Sequence, residues 1–138
     1  MWFHDAVCVP GAGDNEARSA ELAVDVLGRL GVGSGTLDEV VRLVKATDHQ
    51  GRPESGDAKL ICDIDLAVLG KSWSEYSTYA AAVGGEYSVP AEQFAAGRAG
   101  FLRTMLAREH IYHTEHFRGR LEQTARENIR RELADLNR

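Results

Sequence analysis

The stretch AKLICDIDLAVLG, Ala58 to Gly70, decides the fold class. Leu60, Ile61, Ile64, Ala67 and Val68 recur at intervals of three and four, the period of one broad helical face. A half-buried strand would need apolar and polar residues in alternation, and these residues do not alternate. Gly70 closes the segment, as glycine does at helix ends. The same period extends outward on both sides. Upstream, Ala17, Ala20, Ala23, Val24, Leu27 and Leu30 predict a helix over 14–30, with Gly31 placed to stop it. Thr36 with Glu39 reads as a capping box ahead of Val40, Val41, Leu43 and Val44. A polar break from Asp48 to Asp57, punctuated by Gly51, Pro53 and Gly56, follows that helix. Downstream, Trp73, Tyr76, Tyr79 and Val83 predict a fourth helix from Ser72. Pro90 sits where proline opens a helix, which runs past Gly97 to Arg108. A charged amphipathic helix follows from Phe117, with Glu122–Arg126 and Glu127–Arg131 at i,i+4 spacing. No strand of useful length, internal repeat or low-complexity stretch is seen. The expected fold is all-α: one domain over residues 1–138, a bundle of about six helices.

Composition narrows the function classes. A chain of 138 residues is one domain's length, enough to bury about two-thirds of its unfolded surface. The hydrophobic fraction of 43% is that of an ordinary globular protein. A net charge of -5 disfavours nonspecific nucleic-acid binding. No apolar run approaches the ~20 residues that span a bilayer, and no basic-then-apolar leader precedes the first motif. The expectation is a cytoplasmic protein with no membrane or nucleic-acid partner. Cys8 and Cys62 are too few for a disulfide framework and lack zinc-ligand spacing, so both read as reduced, small buried hydrophobes. The arginines of the last helix read as a solvated, paired face.

The residues that carry chemistry begin with WFHDAV, Trp2 to Val7. The adjacent His4 and Asp5 offer an imidazole nitrogen and a carboxylate oxygen, a two-point seat for a divalent metal. Trp2, Phe3, Ala6 and Val7 are expected to bury this turn, and a buried charged pair needs a partner. Metal ligation supplies one; a helix-capping carboxylate beside a hydrogen-bonded histidine is the structural alternative. Asp63 and Asp65 lie two apart on a helix, about 200° from each other, so only one can face a given site. Asp65 is the inward candidate, and Asp63 is placed to orient a ligand from behind. Asp14, Asn15 and Glu16 either orient a metal-bound water and accept its proton, or charge the start of the next helix. His49, at a helix end, reads as a phosphate contact, a general acid or a further metal ligand, against a plain C-terminal cation. Arg18 and Lys45 are weaker phosphate contacts. His110, His113 and His116 read as surface histidines, and Arg98 as a core partner for a carboxylate such as Glu86. No glycine-rich phosphate loop and no Ser/His/Asp arrangement is recognisable.

Taken in order, several strings resemble the HD-domain superfamily of metal-dependent phosphohydrolases, and closely a bacterial branch described as predicted HD phosphohydrolases. They are WFHDAV at 2–7, GDNEARSA at 13–20, KATDHQ at 45–50 and DIDLAVLG at 63–70. Tyr76 and Tyr79, EYS at 86–88, GR at 97–98, IYHTEHF at 111–117 and ARENIRREL at 125–133 complete them. The resemblance implies a helical bundle around a divalent ion (Mn, Fe, Ni, Co, Mg or Zn) ligated by His4, Asp5 and a distal aspartate, Asp65 with Asp63 as the second choice. It implies hydrolysis of a phosphate ester such as a nucleotide by metal-activated water, with His49 or Glu16 managing protons. A small phosphorylated substrate and a homodimer are the expected partners. The superfamily's first histidine would lie on a helix upstream of the doublet; Met1 immediately precedes Trp2, so that helix is expected to be missing here. The alternative is a non-catalytic HD-like helical module acting in dimerisation or partner binding.

Overall fold

The computed structural model describes residues 2–86 and 88–138. It is all-helical. Six α-helices follow in order: α1 (Asn15–Arg29), α2 (Ser34–Ala46), α3 (Gly56–Asp65), α4 (Trp73–Glu86), α5 (Ala91–Ala107) and α6 (Glu115–Leu136). A 3-10 turn, Leu66–Gly70, separates α3 from α4, and no strand occurs among the described residues. No helix among them is long and apolar enough to cross a membrane. The chain divides into two compact units, and the boundary between Cys62 and Asp63 falls inside α3.

In the first unit α1 packs on α2. Gly31 ends α1 with φ +80°, a left-handed conformation that costs glycine nothing. Its N–H reaches the Gly28 carbonyl at 3.0 Å, and the Val32 N–H reaches the Leu27 carbonyl at 3.1 Å. These two bonds make a Schellman cap. The capping box expected at Thr36 and Glu39 is not formed. The helix starts earlier, at Ser34 after an extended Gly33, whose carbonyl accepts from the Thr36 and Leu37 N–H groups. Thr36 therefore lies within the first turn, and Arg42 takes the Glu39 carboxylate. A capping box does form at Ser72 and Glu75, opening α4: the Ser72 N–H and hydroxyl donate to Glu75, whose own N–H returns to the Ser72 oxygen. Those bonds hold the Glu75 carboxyl below its ordinary pKa.

The second unit is built around Leu66, Leu69, Tyr76, Leu102, Met105, Ile111, Tyr112 and Ile129. The 3-10 turn lies directly on α6. A Cβ on Gly70 would stand 2.5 Å from the Leu121 Cβ, so this contact admits only glycine. Asn128 donates to the Leu69 and Lys71 carbonyls at 2.9 and 2.8 Å, satisfying backbone that the short turn leaves open. Arg98 pairs with Glu132 at 2.8 Å, not with Glu86, because α5 lies against α6 while Glu86 is exposed at the end of α4. Glu132 also accepts from the Tyr76 hydroxyl. Burial, with Glu132 beside it, raises the Tyr76 pKa above the ordinary phenol value. Burial works against the Arg98 charge, and the Glu132 carboxylate outweighs it, so that the Arg98 pKa is raised.

The arginines of α6 are less uniformly solvated than their spacing implies. Arg126 keeps its expected Glu122 partner at 2.8 Å and also donates to the Leu106, Arg108 and Glu109 carbonyls. It thereby closes the C-terminus of α5, where carbonyls lack helical partners. Arg131 stacks 3.9 Å over the Trp73 ring.

Candidate metal centre

His4 and Asp5 stand on a run of turns that precedes α1, and the His4 Nδ1 lies 3.6 Å from an Asp5 oxygen. Two side-chain clamps tie the end of this segment to α1. The Ser19 hydroxyl, fully buried, accepts from the Val7 N–H at 2.9 Å and donates to the Val7 carbonyl at 3.2 Å. Asn15 brackets Val9 likewise, accepting from its N–H at 2.9 Å and donating to its carbonyl at 3.0 Å. Asn15 therefore works on backbone, fixing the loop that presents the doublet.

The doublet is not buried as expected. The Asp5 side chain is 71% exposed against 18% for His4, and Trp2 is 94% exposed. The reason is local. Residues 2–6 are held to one another by turns such as Ala6 N–H to Phe3 carbonyl, and the clamps begin only at Val7. His4 faces inward instead, lining a cavity of about 290 Å³ with Phe3, Leu27, Val40, Val44 and Ile61.

Glu16 lies half-buried in the first turn of α1. His49 follows the end of α2 with φ +56°, unusual for a residue bearing a Cβ. Its Nδ1 is shielded from solvent. His4, Asp5, Glu16 and His49 belong to the first unit and Asp65 to the second. Arg18 and Lys45 are exposed. Cys62 is buried and donates to the Ala46 carbonyl at 3.1 Å, whereas Cys8 is exposed, contrary to expectation, on the same short segment as the doublet.

The inward carboxylate of the DID pair is Asp63, not Asp65. Asp63 is fully buried and accepts three hydrogen bonds: the His113 N–H at 2.7 Å, the Thr114 N–H at 2.8 Å and the Thr114 hydroxyl at 2.7 Å. Asp65, the last residue of α3, is half-buried. Apolar neighbours on the helix pointed to Asp65, but a carboxylate is buried where donors await it. The signal was present at Thr114, the N-cap of α6, because a helix start presents N–H groups in need of acceptors. His110 and His116 are exposed, as expected of surface histidines, and His113 is half-buried.

By donor chemistry the proposed set suits a divalent ion, with one imidazole nitrogen and two carboxylates. Among the described residues, no three His, Cys, Asp or Glu side chains are grouped as a metal centre. Compared with known proteins, the chain matches no family model, no curated protein and no solved structure.

Proposed function

We propose that the chain is an HD-type phosphohydrolase acting on a phosphate ester such as a nucleotide, with His4, Asp5 and Asp65 as ligands of a divalent ion. The observation that carries this reading is the His-Asp doublet, within a series of motifs in the order the HD superfamily shows. The adjacency of the two side chains supports it. A divalent ion supplies Lewis acidity toward phosphate and toward water. This chain's own residues supply the rest. Asp5 and Asp65 bring carboxylate oxygens, and His4 brings an imidazole nitrogen from the wall of a largely apolar cavity. Glu16 and His49 are the proposed proton carriers, each fixed by backbone at a helix terminus. The same reading assigns the protein to the cytoplasm as a homodimer, working on small phosphorylated molecules rather than on nucleic acid or at membranes.

The test is elemental analysis of the purified chain after loading with Mn²⁺, Fe²⁺, Ni²⁺, Co²⁺, Mg²⁺ or Zn²⁺, followed by phosphatase assays. Near-stoichiometric metal and hydrolysis, both lost in Asp5→Ala and in Asp65→Ala, are the expected result. Activity unchanged in both variants refutes the assignment. A second reading, a non-catalytic helical module that binds a partner, is favoured by one observation: Trp2, on the wall of a cavity lined by apolar side chains and His4, stands 94% exposed. Concentration-dependent self-association that Trp2→Ser abolishes, in a chain that binds no metal, would select it.

A further inference from the structure

We propose that the groove between α1 and α2 is the face on which a second copy of this chain docks, with α1 of each copy lying along α2 of the other. The inference rests on the homodimer of the proposed function, to which it gives a surface, and is independent of the metal site. The groove lies wholly within the first unit and encloses about 480 Å³. Three i,i+4 pairs line it: Ala20 with Val24 and Glu21 with Asp25 on α1, and Val41 with Lys45 on α2. Its middle is thus apolar, its α1 wall acidic and its α2 wall basic. This part of the fold is where apolar surface stays uncovered. Among the described residues, all the exposed large apolar side chains except Ile64 belong to the first unit, Val24 with them. A helix pair such as α1 and α2 buries one seam and leaves apolar residues on its flanks.

Charge selects the occupant. Among the described residues neither Glu21 nor Lys45 has an ion-pair partner, while Asp25 holds Arg29 at 2.9 Å in an exposed pair. The connection over 30–33 is short, so α1 and α2 run antiparallel. A second copy related by a two-fold axis in the plane of the groove can then sit in two ways. With the axis across the helices, α1 lies on α1, and Glu21 and Asp25 meet their own copies. With the axis along the helices, α1 lies on α2 of the second copy, and Lys45 meets Glu21 and Asp25 of that copy. Symmetry makes this contact twice. Only the second arrangement covers the apolar middle and matches opposite charges at both edges. The acidic and basic walls make the groove complementary to itself, as an interface between identical chains must be, and the result is a four-helix layer.

The experiment is sedimentation velocity of the full chain over a range of concentrations. It compares wild type, Lys45→Glu, Glu21→Lys and an equimolar mixture of the two variants, each shown folded by circular dichroism. Both positions are exposed, so neither change disturbs the core. Wild type is expected to dimerise. Each variant alone sets like charges together at both contacts and should dimerise roughly tenfold more weakly or worse. The mixture faces opposite charges at both contacts again and should recover the association of wild type, which a defect in folding would not. A dimer that persists unchanged in both variants would overturn the groove and leave the homodimer standing on another surface. Weakened variants that do not recover on mixing would overturn the pairing and the groove with it. A wild type that stays monomeric throughout would overturn the groove and the homodimer together, while metal content still decides the metal site separately.

Discussion

Removing the carboxylate of Glu132 is expected to destabilise the second unit more than any surface change. Its oxygens accept from Arg98 Nε at 2.8 Å, from a second Arg98 nitrogen at 3.2 Å and from the Tyr76 hydroxyl. The Arg98 and Glu132 side chains are only 7% and 11% exposed, so water cannot replace what Glu132→Ala removes. Breaking a buried pair by deleting one partner costs about 3–5 kcal/mol, because the remaining charge stays desolvated. The Tyr76 hydroxyl loses its acceptor as well, for about 1 kcal/mol more. Native domains are stable by only about 5–15 kcal/mol, so the variant should be near the edge of folding. Replacing the charged pair by apolar residues, Arg98→Met with Glu132→Leu, should restore most of the loss, since no charge is then buried alone. Urea unfolding monitored by Trp73 fluorescence reads both variants. Trp73 lies 5.7 Å from the Tyr76 ring and under Arg131, whereas exposed Trp2 should change little on unfolding. Glu132→Ala within about 1 kcal/mol of wild type would refute the reasoning, since that is the worth of an exposed pair. A double variant no more stable than the single would refute it too.

Other consequences follow from single contacts. Gly70→Ala places a Cβ 2.5 Å from that of Leu121 and should cost about 1–3 kcal/mol by overpacking, read as a lower urea midpoint at unchanged slope. Ser19→Ala removes both bonds to Val7 and should cost about 1 kcal/mol, with faster hydrogen exchange at the Val7 amide than at the helical amides of α1. Tyr76 and Tyr112 both have pKa values raised by burial, so the folded state resists their ionisation. The stability they contribute is full below the unfolded phenol value of about 10 and falls as pH rises beyond it, because there the unfolded chain binds fewer protons. Urea midpoints from pH 8 to 11 should decline, less steeply in Tyr76→Phe.

Periodicity sufficed for the existence and order of the helices, because the spacing of apolar residues along a helix is a local property. Ala17 to Leu30 and the pattern after Pro90 each matched a helix now seen, and Gly31 matched its end. The AKLICDIDLAVLG segment matched only in part: its α-helix stops at Asp65, residues 66–70 form a 3-10 turn, and Leu60 and Ile64 of its expected apolar face are exposed. Boundaries were less legible. A capping box needs the right residue pair and also a chain that starts the helix there, a condition met at Ser72–Glu75 and not at Thr36–Glu39. The α6 helix begins at Glu115, two residues before Phe117, because Thr114 rather than an apolar residue marks its start.

What only tertiary structure decided is which polar groups meet. The residue types of the candidate site, His4, Asp5, Glu16, His49 and Asp65, were all readable, as was the inability of Asp63 and Asp65 to share a face. Which of that pair is buried depended on the cradle at Thr114, fifty-one residues away in sequence. Arg98 found Glu132 rather than Glu86 for the same reason, and Trp2 remained exposed because nothing in its own segment covers it. A helix face is encoded by its neighbours in the chain; the partner of a buried charge is set by whichever element folding brings beside it.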